Sequence, residues 1–227
     1  MPPEHDTCWT VLRAASKGDT VARSVFARSY LRPIRAYLDR RWRARNLAAH
    51  KEDAIQDVFV ECYKPNGVIE RVVPGQSDFR ALLYGVVRNV ARRYEERAAK
   101  SIQRRPDESV YLDELPDQAE ALSRVFDQAW ARSVLGQAIE RYRDASSQEE
   151  GLARRFRILR LRHDDGLAVR EIAAELGEAD VANVHNDYRR ARREFAAHLR
   201  AVVAMHTGAE GEQIDAECRR LTALLNA

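Results

Sequence analysis

Apolar residues recur at helical spacing along most of the chain. Between residues 51 and 63 they fall at i, i+3, i+4 and i+7, at Ile55, Val58, Phe59 and Cys62. A longer stripe follows after the Pro74-Gly75 loop, with Ser77 or Asp78 as a candidate cap, and consists of Phe79, Leu82, Leu83, Val86, Val87, Val90 and Tyr94. Both patterns predict amphipathic helices.

The same periodicity continues in the second half of the chain. It predicts helices over about 126–142 and 148–163, a short helix from Val169 to Gly177, and a long final helix that contains Val184 and Phe195. An amphipathic segment with Leu221 follows Gly208 and Gly211. Since no hairpin signal and no internal repeat stand out, the pattern predicts an all-α fold.

A change of pattern near the middle of the chain divides the sequence. Residues 98–123 lack a sustained period and contain Pro106 and Pro116, which favours a linker. The predicted organisation is therefore a helical domain over 7–100, an acidic linker over 101–124, a second helical domain over 125–205 and a carboxy-terminal extension over 206–227.

Composition places the chain among soluble globular proteins. It has 227 residues, 45% hydrophobic and 32% charged, with a formal net charge of +3. No apolar run is long enough to cross a bilayer, no secretory signal is evident at the amino terminus, and three widely separated cysteines form no metal or redox motif. We expect a cytoplasmic protein without a cofactor or a bound metal.

The distribution of charge says more than its sum. Eight basic residues lie between Arg23 and Arg45 and eight more between Arg80 and Arg105. Seven acids then lie between Asp107 and Asp127, with Arg124 as the only base. A third basic group consists of Arg189, Arg190, Arg192 and Arg193. Such blocks indicate interaction surfaces, although a solvated helix face is the alternative for any one of them.

Residues 168–193 have the pattern of a helix-turn-helix. A small residue, Ala173, suits a close helix crossing, Gly177 suits a sharp turn, and Val184 suits an apolar anchor on the second helix. Asn and Arg side chains pair with adenine and guanine edges in the major groove, and Arg also neutralises phosphates. The second helix offers candidates of these types at Asn183, His185, Asn186, Arg189, Arg190 and Arg193.

Two segments resemble the core of sigma-70-family sigma factors, in particular the extracytoplasmic-function (ECF) group. EDAIQDVFV at 52–60 is similar to region 2.2 of that family, and FRALLYGVVRNVARRY at 79–94 is similar to regions 2.3 and 2.4. The helix-turn-helix at 168–193 resembles region 4.2. Ala173 and Val184 are eleven positions apart, which is one position more than the usual spacing in the ECF group. The extra residue predicts a longer turn at Glu178–Asp180.

The resemblance implies a non-enzymatic RNA polymerase subunit that directs transcription initiation at specific promoters. Its expected partners are the core polymerase (β′ coiled coil and β flap), promoter DNA, and an anti-sigma factor or another regulator. The residues that match the core-binding helix are Glu52, Asp53, Gln56, Asp57 and Glu61. The −10 element would be contacted by Arg88, Asn89, Arg92, Arg93 and Arg97, and the −35 element by the six candidates of the helix-turn-helix.

Three other classes of function compete with this interpretation. An enzyme is disfavoured, because the six histidines show no HExxH spacing and the chain has neither a phosphate-binding glycine loop nor a GxSxG motif. A stand-alone helix-turn-helix regulator would bind duplex DNA without the polymerase. A helical adaptor would bind another protein and no DNA.

Overall fold

The computed structural model describes residues 14–65, 67–71, 79–103, 116–207 and 211–226, and every regular element among them is helical. The helices are α1 (Thr20–Arg41), α2 (Lys51–Tyr63), α3 (Val68–Arg71), α4 (Phe79–Gln103), α5 (Pro116–Ser146), α6 (Glu150–His163), α7 (Val169–Glu175), α8 (Val181–Thr207) and α9 (Glu212–Asn226). The all-α prediction is confirmed over these residues. None of these helices is both long and apolar enough to cross a membrane.

Local sequence signals explain where α1 begins. Gly18 has φ +98°, a left-handed conformation that a glycine adopts without steric cost. The Asp19 carboxylate then accepts a hydrogen bond from the backbone N–H of Ala22 at 2.9 Å and caps the helix. The helix continues through the buried Pro33 and ends at Arg41.

The predicted linker of 101–124 is helical at both ends. Helix α4 continues to Gln103, and α5 begins at Pro116. Proline suits a first helical position, because its missing N–H would have no partner there. Leu122 and Phe126 are buried at a spacing of four residues, so the apolar period of α5 starts before residue 125. Residues 104–115 of the linker lie outside the described part.

The described chain divides into two compact units. Unit 1 contains the described residues up to Ser133 together with those from Ala204 onward, and unit 2 contains Val134–Val203. The division falls within α5 and within α8. Most of the extension at 206–227 therefore belongs to the same unit as the amino-terminal helices. The predicted functional domains remain a prediction.

Unit 1 has an aromatic-rich core. Phe26 on α1 is 1% exposed, and its ring contacts those of Tyr30, Phe59, Tyr63 and Phe79 with centroids 4.8–5.8 Å apart. These edge-on and tilted arrangements are the favoured geometries for aromatic pairs. Other buried residues of the unit come from α1, α2, α4, α5 and α9, and include Ile34, Leu38, Val58, Leu83, Val87, Phe126, Trp130 and Leu221.

A buried ion pair joins α1 to α4 inside unit 1. Arg41 and Glu95 form two hydrogen bonds, at 2.7 and 2.8 Å, and their side chains are 3% and 2% exposed. Arg41 also donates to the Tyr37 hydroxyl, the Trp42 indole N–H donates to Glu95, and Arg45 lies 2.8 Å from the same carboxylate. The carboxylate is thus surrounded by donors, as a buried charge requires.

Unit 1 also buries a histidine from the carboxy-terminal part of the chain. His206 is 5% exposed, its Nδ1 lies 3.2 Å from the Tyr30 hydroxyl, and its ring packs edge-on against Trp130. Burial lowers the pKa of His206 to about 4, because an imidazolium would lose its hydration there. The side chain is therefore neutral at pH 7.

Unit 2 has a smaller core that is arranged around the short helix α7. Ile158, Ile172, Ala173 and Val184 form one buried cluster from α6, α7 and α8. Tyr142, Leu159 and Ala191 form a second cluster, to which Phe156 and Phe195 add partly buried rings. These contacts hold the end of α6, the whole of α7 and the first half of α8 together.

Candidate functional site

Helix α2 carries the predicted polymerase-binding residues on the side opposite its buried stripe. Glu52, Asp53 and Gln56 are exposed, and Asp57 and Glu61 are half-buried. The opposite side consists of Ala54, Ile55, Val58 and Cys62, all of which are buried. The amphipathic pattern therefore places all five predicted residues on the solvent side of α2 or at its edge.

Two of these carboxylates are already engaged within unit 1. Arg35 binds Glu52 with both terminal nitrogens, at 2.5 and 2.9 Å, and this hydrogen bonding lowers the pKa of Glu52. Glu61 is bonded to Lys64 and, at 2.9 Å, to Arg93 of α4, and these bonds lower its pKa as well. The acidic face is thus partly neutralised by neighbouring arginines and a lysine.

The remaining residues of this face differ in what they can offer to a partner. Asp57 accepts a hydrogen bond from the Tyr94 hydroxyl at 3.1 Å, and the pKa of Tyr94 is raised by burial and by this carboxylate. Asp53 and Gln56 are exposed and form no side-chain hydrogen bond or ion pair within the described part of the chain. Within the described part of the chain they are the groups of the predicted docking surface that are both exposed and unpaired.

The predicted −10 residues lie together on the solvent side of α4. All five are exposed: Arg88, Asn89, Arg92, Arg93 and Arg97. The opposite side of the same helix buries Phe79, Leu83 and Val87, which confirms their prediction as core residues. Leu82 was expected in the apolar stripe, but its side chain is 38% exposed, because its position lies at the border between the two faces.

Residues from the predicted polymerase-binding face of α2 and from the predicted −10 face of α4 line the same cleft within unit 1. The cleft has a volume of about 340 Å³. Glu61 of α2 and Arg93 of α4 form an ion pair on its wall. Its lining residues are Glu61, Val68, Val86, Asn89, Val90, Arg92, Arg93 and Glu96. The structure therefore brings three predicted −10 residues and one predicted polymerase-binding residue to the same opening.

Tyr84 could have been either a core residue or a base-contacting residue, and the structure places it inside unit 1. Its hydroxyl donates to the carbonyl of Ala119 at 3.3 Å, and its ring packs edge-on against Tyr37 and Phe126. The resemblance to sigma factors also makes residues 76–78 candidates for a pocket that holds a −10 base, and these residues lie outside the described part of the chain.

Residues 169–193 contain two helices, α7 and the start of α8, joined by a short turn, which is the order of elements that a helix-turn-helix requires. Gly177 has φ +64°, so the turn uses the left-handed conformation that glycine favours. The Asp180 carboxylate accepts from the N–H of Ala182 at 2.8 Å and caps α8. Ala173 and Val184 are 2% and 0% exposed and lie in one buried cluster, in agreement with their predicted roles.

The amino-terminal half of α8 exposes every residue predicted to contact the −35 element. Asn183, His185, Asn186, Arg189, Arg190 and Arg193 are all in the exposed class. Val184 and Ala191, seven residues apart, are buried on the other side. A surface that combines amides with arginines offers base-edge hydrogen bonding next to phosphate neutralisation.

Acidic side chains of α8 bind arginines of α6, an arrangement that the sequence pattern did not reveal. Arg154 binds Asp187 at 2.9 Å and also Glu178, in the turn before α8, at 2.8 Å, and Arg155 binds Glu194 at 2.7 Å. Asp187 and Glu194 are the only acids in α8 and are seven residues apart, so this signal was present in the sequence. The four arginines in the first half of α8 are exposed to solvent: Arg189, Arg190, Arg192 and Arg193.

Two findings bear on other functions. Among the residues that the structure describes, no group of three or more His, Cys, Asp or Glu side chains could hold a metal ion. A comparison of the chain with models of protein families, and another with curated proteins, gave no match.

Proposed function

We propose that this protein is an ECF-type sigma factor, a subunit that binds core RNA polymerase and directs it to specific promoters. The observation that carries the proposal is the helix-turn-helix of unit 2. Its second helix is anchored by Val184 and exposes Asn183, Asn186 and Arg189. Two further surfaces of the kinds that such a subunit requires, one acidic and one basic, lie on neighbouring helices of unit 1.

The −35 element would be read by α8. Asn and Arg side chains at the start of a recognition helix reach base edges, and later arginines contact phosphates. Asn183 and Asn186 are therefore assigned to base contacts, and Arg190 and Arg193 to the DNA backbone. The ion pairs from α6 to Asp187 and Glu194 hold the helix in place without using these residues.

The −10 element would be bound along α4. Opening of the duplex exposes bases that a pocket can hold, while basic side chains retain the backbone. Asn89 is a candidate for base recognition, because it is an exposed amide at the cleft. Arg88, Arg92 and Arg97 would bind phosphates. Arg93 would do so only after exchanging its ion pair with Glu61.

Core polymerase would dock on α2. Carboxylates on an exposed helix face suit a basic partner surface, since charge complementarity orients and accelerates association. Asp53 and Gln56 are the accessible groups, whereas Glu52 and Glu61 already bind arginines. We therefore assign the principal contact to the amino-terminal half of α2, from Asp53 in its first turn to Gln56.

Promoter-dependent transcription with purified core polymerase tests the proposal. The full chain is added to core enzyme and a library of promoter templates, and transcripts are sequenced. A sigma factor produces initiation from a subset of templates with shared −10 and −35 elements. Specific duplex binding without core, together with no stimulation of initiation, would identify a stand-alone regulator instead. Absence of any DNA binding, with or without core, would leave a helical adaptor.

Two substitutions connect this activity to particular surfaces. Asp53→Lys reverses an exposed charge that has no partner among the described residues, and we expect loss of co-purification with core polymerase. Glu140→Lys makes the same change on an exposed residue of unit 2 and should have no effect. Asp57 is a poorer probe, because its replacement would also remove the hydrogen bond from Tyr94.

A third substitution tests recognition of the −35 element. Asn186→Ala removes an exposed amide from α8 without touching the core. A lost base contact costs about 1–3 kcal/mol and relaxes the preference at one position, whereas a lost phosphate contact weakens binding uniformly. Transcription over a set of −35 variants distinguishes the two results. A uniform loss would assign Asn186 to the backbone.

A further inference from the structure

The basic block at the amino-terminal end of the chain divides into two sets in the structure. All eight basic residues between Arg23 and Arg45 are arginines. Four of them are used within unit 1. Arg23 donates to the carbonyl of Ala15, Arg35 binds Glu52, and Arg41 and Arg45 surround the buried Glu95.

The other four arginines make no ion pair within the described part of unit 1. Arg28, Arg32, Arg40 and Arg43 are exposed, and none forms an ion pair within the described part of the chain. Placing four unpaired guanidinium groups along one helix and its end is unfavourable through mutual repulsion, unless a partner supplies negative charge. We call these residues the arginine ridge.

The ridge begins near the middle of α1 at Arg28 and ends at Arg43, just after the helix. Arg28 and Arg32 are four residues apart, and Arg40 lies two further steps of four along the same inclined row. At 1.5 Å per residue, the span from Arg28 to Arg40 is about 18 Å. The acid beside this end of the row, Asp39, is bound by Lys51 at 2.6 Å and so adds little negative charge.

A groove adjoins the carboxy-terminal end of the ridge, also within unit 1. Two cavities of about 530 and 310 Å³ share Arg40, Arg43 and Ala121 in their walls. Arg124 of α5 lines the larger cavity and is paired with Glu120 on its own helix. Neither wall contains an aromatic ring on which a base could stack.

We propose that the arginine ridge and its groove bind the phosphodiester backbone of DNA, independently of sequence. This inference rests on the proposed function, because DNA held by α4 and α8 supplies the partner. A duplex strand carries a phosphate about every 3.4 Å along the axis, so a span of about 18 Å offers about five of them. Guanidinium groups match phosphate geometry with two parallel hydrogen bonds. The ridge would therefore add affinity and no base preference.

The salt dependence of DNA binding tests this site. Full-length protein is titrated into a fluorescent 30-base-pair duplex of unrelated sequence between 20 and 200 mM NaCl. Arg40→Ala/Arg43→Ala removes two ridge residues, and Arg132→Ala/Arg219→Ala removes two exposed arginines elsewhere in unit 1 as a matched control. Each lost phosphate contact lowers the slope of log K against log salt by about 0.9. We therefore expect the ridge variant to lose about 1.8 from the slope and the control to lose none.

Further variants make the outcome decisive. Arg40→Lys/Arg43→Lys retains the charge and should restore most of the slope. Equal slopes for the ridge variant and the control would overturn the proposal. If the ridge variant keeps its slope but no longer binds poly-glutamate, the ridge would recognise an acidic polypeptide and not DNA, which would also overturn the proposal. Thermal unfolding checks that each variant is folded.

The core-binding variant separates this site from the proposed function. Asp53→Lys should leave the slope unchanged while it abolishes co-purification with core polymerase. If wild-type protein fails to direct transcription but the ridge effect persists, only the sigma-factor proposal is lost. If transcription succeeds and the ridge effect is absent, only the ridge proposal is lost.

Discussion

The ion pair of Arg41 and Glu95 in unit 1 and that of Arg154 and Asp187 in unit 2 lie in different surroundings. In unit 1, Arg41 and Glu95 are almost completely buried and share their hydrogen bonds with Tyr37 and Trp42. In unit 2, Arg154 is 37% exposed and binds Asp187 at the edge of an apolar cluster. Both arrangements connect helices that are distant in sequence, but only the first one removes full charges from water.

The difference separates two uses of charge. A buried pair costs free energy to desolvate, and breaking it leaves an unpaired charge in the interior, so it fixes one arrangement of helices strongly. A partly exposed pair contributes little to stability and is screened by salt. In unit 2 the apolar cluster therefore carries the fold, and the polar surface of α8 contributes little to its stability.

The largest expected effect comes from removing one partner of the buried pair. Glu95→Ala leaves the Arg41 guanidinium without its carboxylate in a site that is 3% exposed. We expect a loss of about 3 to 5 kcal/mol in the free energy of unfolding, measured by urea titration. Glu96→Ala, at the exposed neighbouring position, should change it by less than about 0.5 kcal/mol. Equal effects at the two positions would remove the contrast between the units.

Acid should destabilise unit 1 through His206. Its pKa is lowered to about 4 in the folded protein, against about 6.5 for an ordinary histidine. The unfolded chain therefore binds a proton more readily, and the free energy of unfolding falls as the pH decreases from about 6.5 to about 4. The shift corresponds to about 3 kcal/mol.

Unfolding measured across this pH range, for wild type and His206→Phe, checks the prediction. The variant lacks the titrating group, so its stability should depend less on pH over this interval. Parallel curves for the two proteins would show that another group is responsible.

The apolar cluster of unit 2 gives the next effect. Val184→Ala removes two methyl groups from a side chain that is 0% exposed, and we expect a loss of about 2 kcal/mol. The change leaves every predicted DNA-contacting residue in place. Unfolding monitored by hydrogen exchange in α7 and α8 provides the measurement. The control is Ala196→Ser, at an exposed position of α8, which should change the free energy of unfolding very little.

The smallest effect is expected for the partly exposed pairs of unit 2. Arg154→Ala removes contacts to Asp187 and Glu178, and we expect a loss of about 1 kcal/mol at low salt that decreases in 0.5 M NaCl. The salt dependence is the informative measurement. A loss as large as that of Glu95→Ala would show that both units depend on charge to the same degree.

The sequence pattern was most accurate where an apolar stripe had a clear start and end. Helix α2 occupies Lys51–Tyr63, as predicted, because a complete stripe is followed by Pro65. Helix α4 begins at the predicted Phe79. The pattern failed at the linker, where absence of an apolar period was interpreted as absence of helix, although the first turn of α5 requires no buried residue.

Pairing between distant residues could not be predicted. The spacing of Val87, Ala91 and Glu95 places the carboxylate on the buried side of α4, so a partner was to be expected. That partner is 54 residues away, and periodicity does not indicate which helix covers which face. For the candidate sites, the pattern did predict that the proposed DNA-contacting residues of α4 and α8 would be exposed. Their roles remain a prediction.

The discontinuity of unit 1 along the chain has a consequence for synthesis. Its core includes His206 and Leu221, whereas residues 134–203 belong to unit 2. The rings of Tyr30 and Trp130 pack against His206, so they lack this neighbour until residue 206 has been synthesised, by which point every residue of unit 2 has been made. We therefore expect nascent unit 1 to expose apolar surface around Tyr30 and Trp130 until then, where a chaperone at the ribosome could bind.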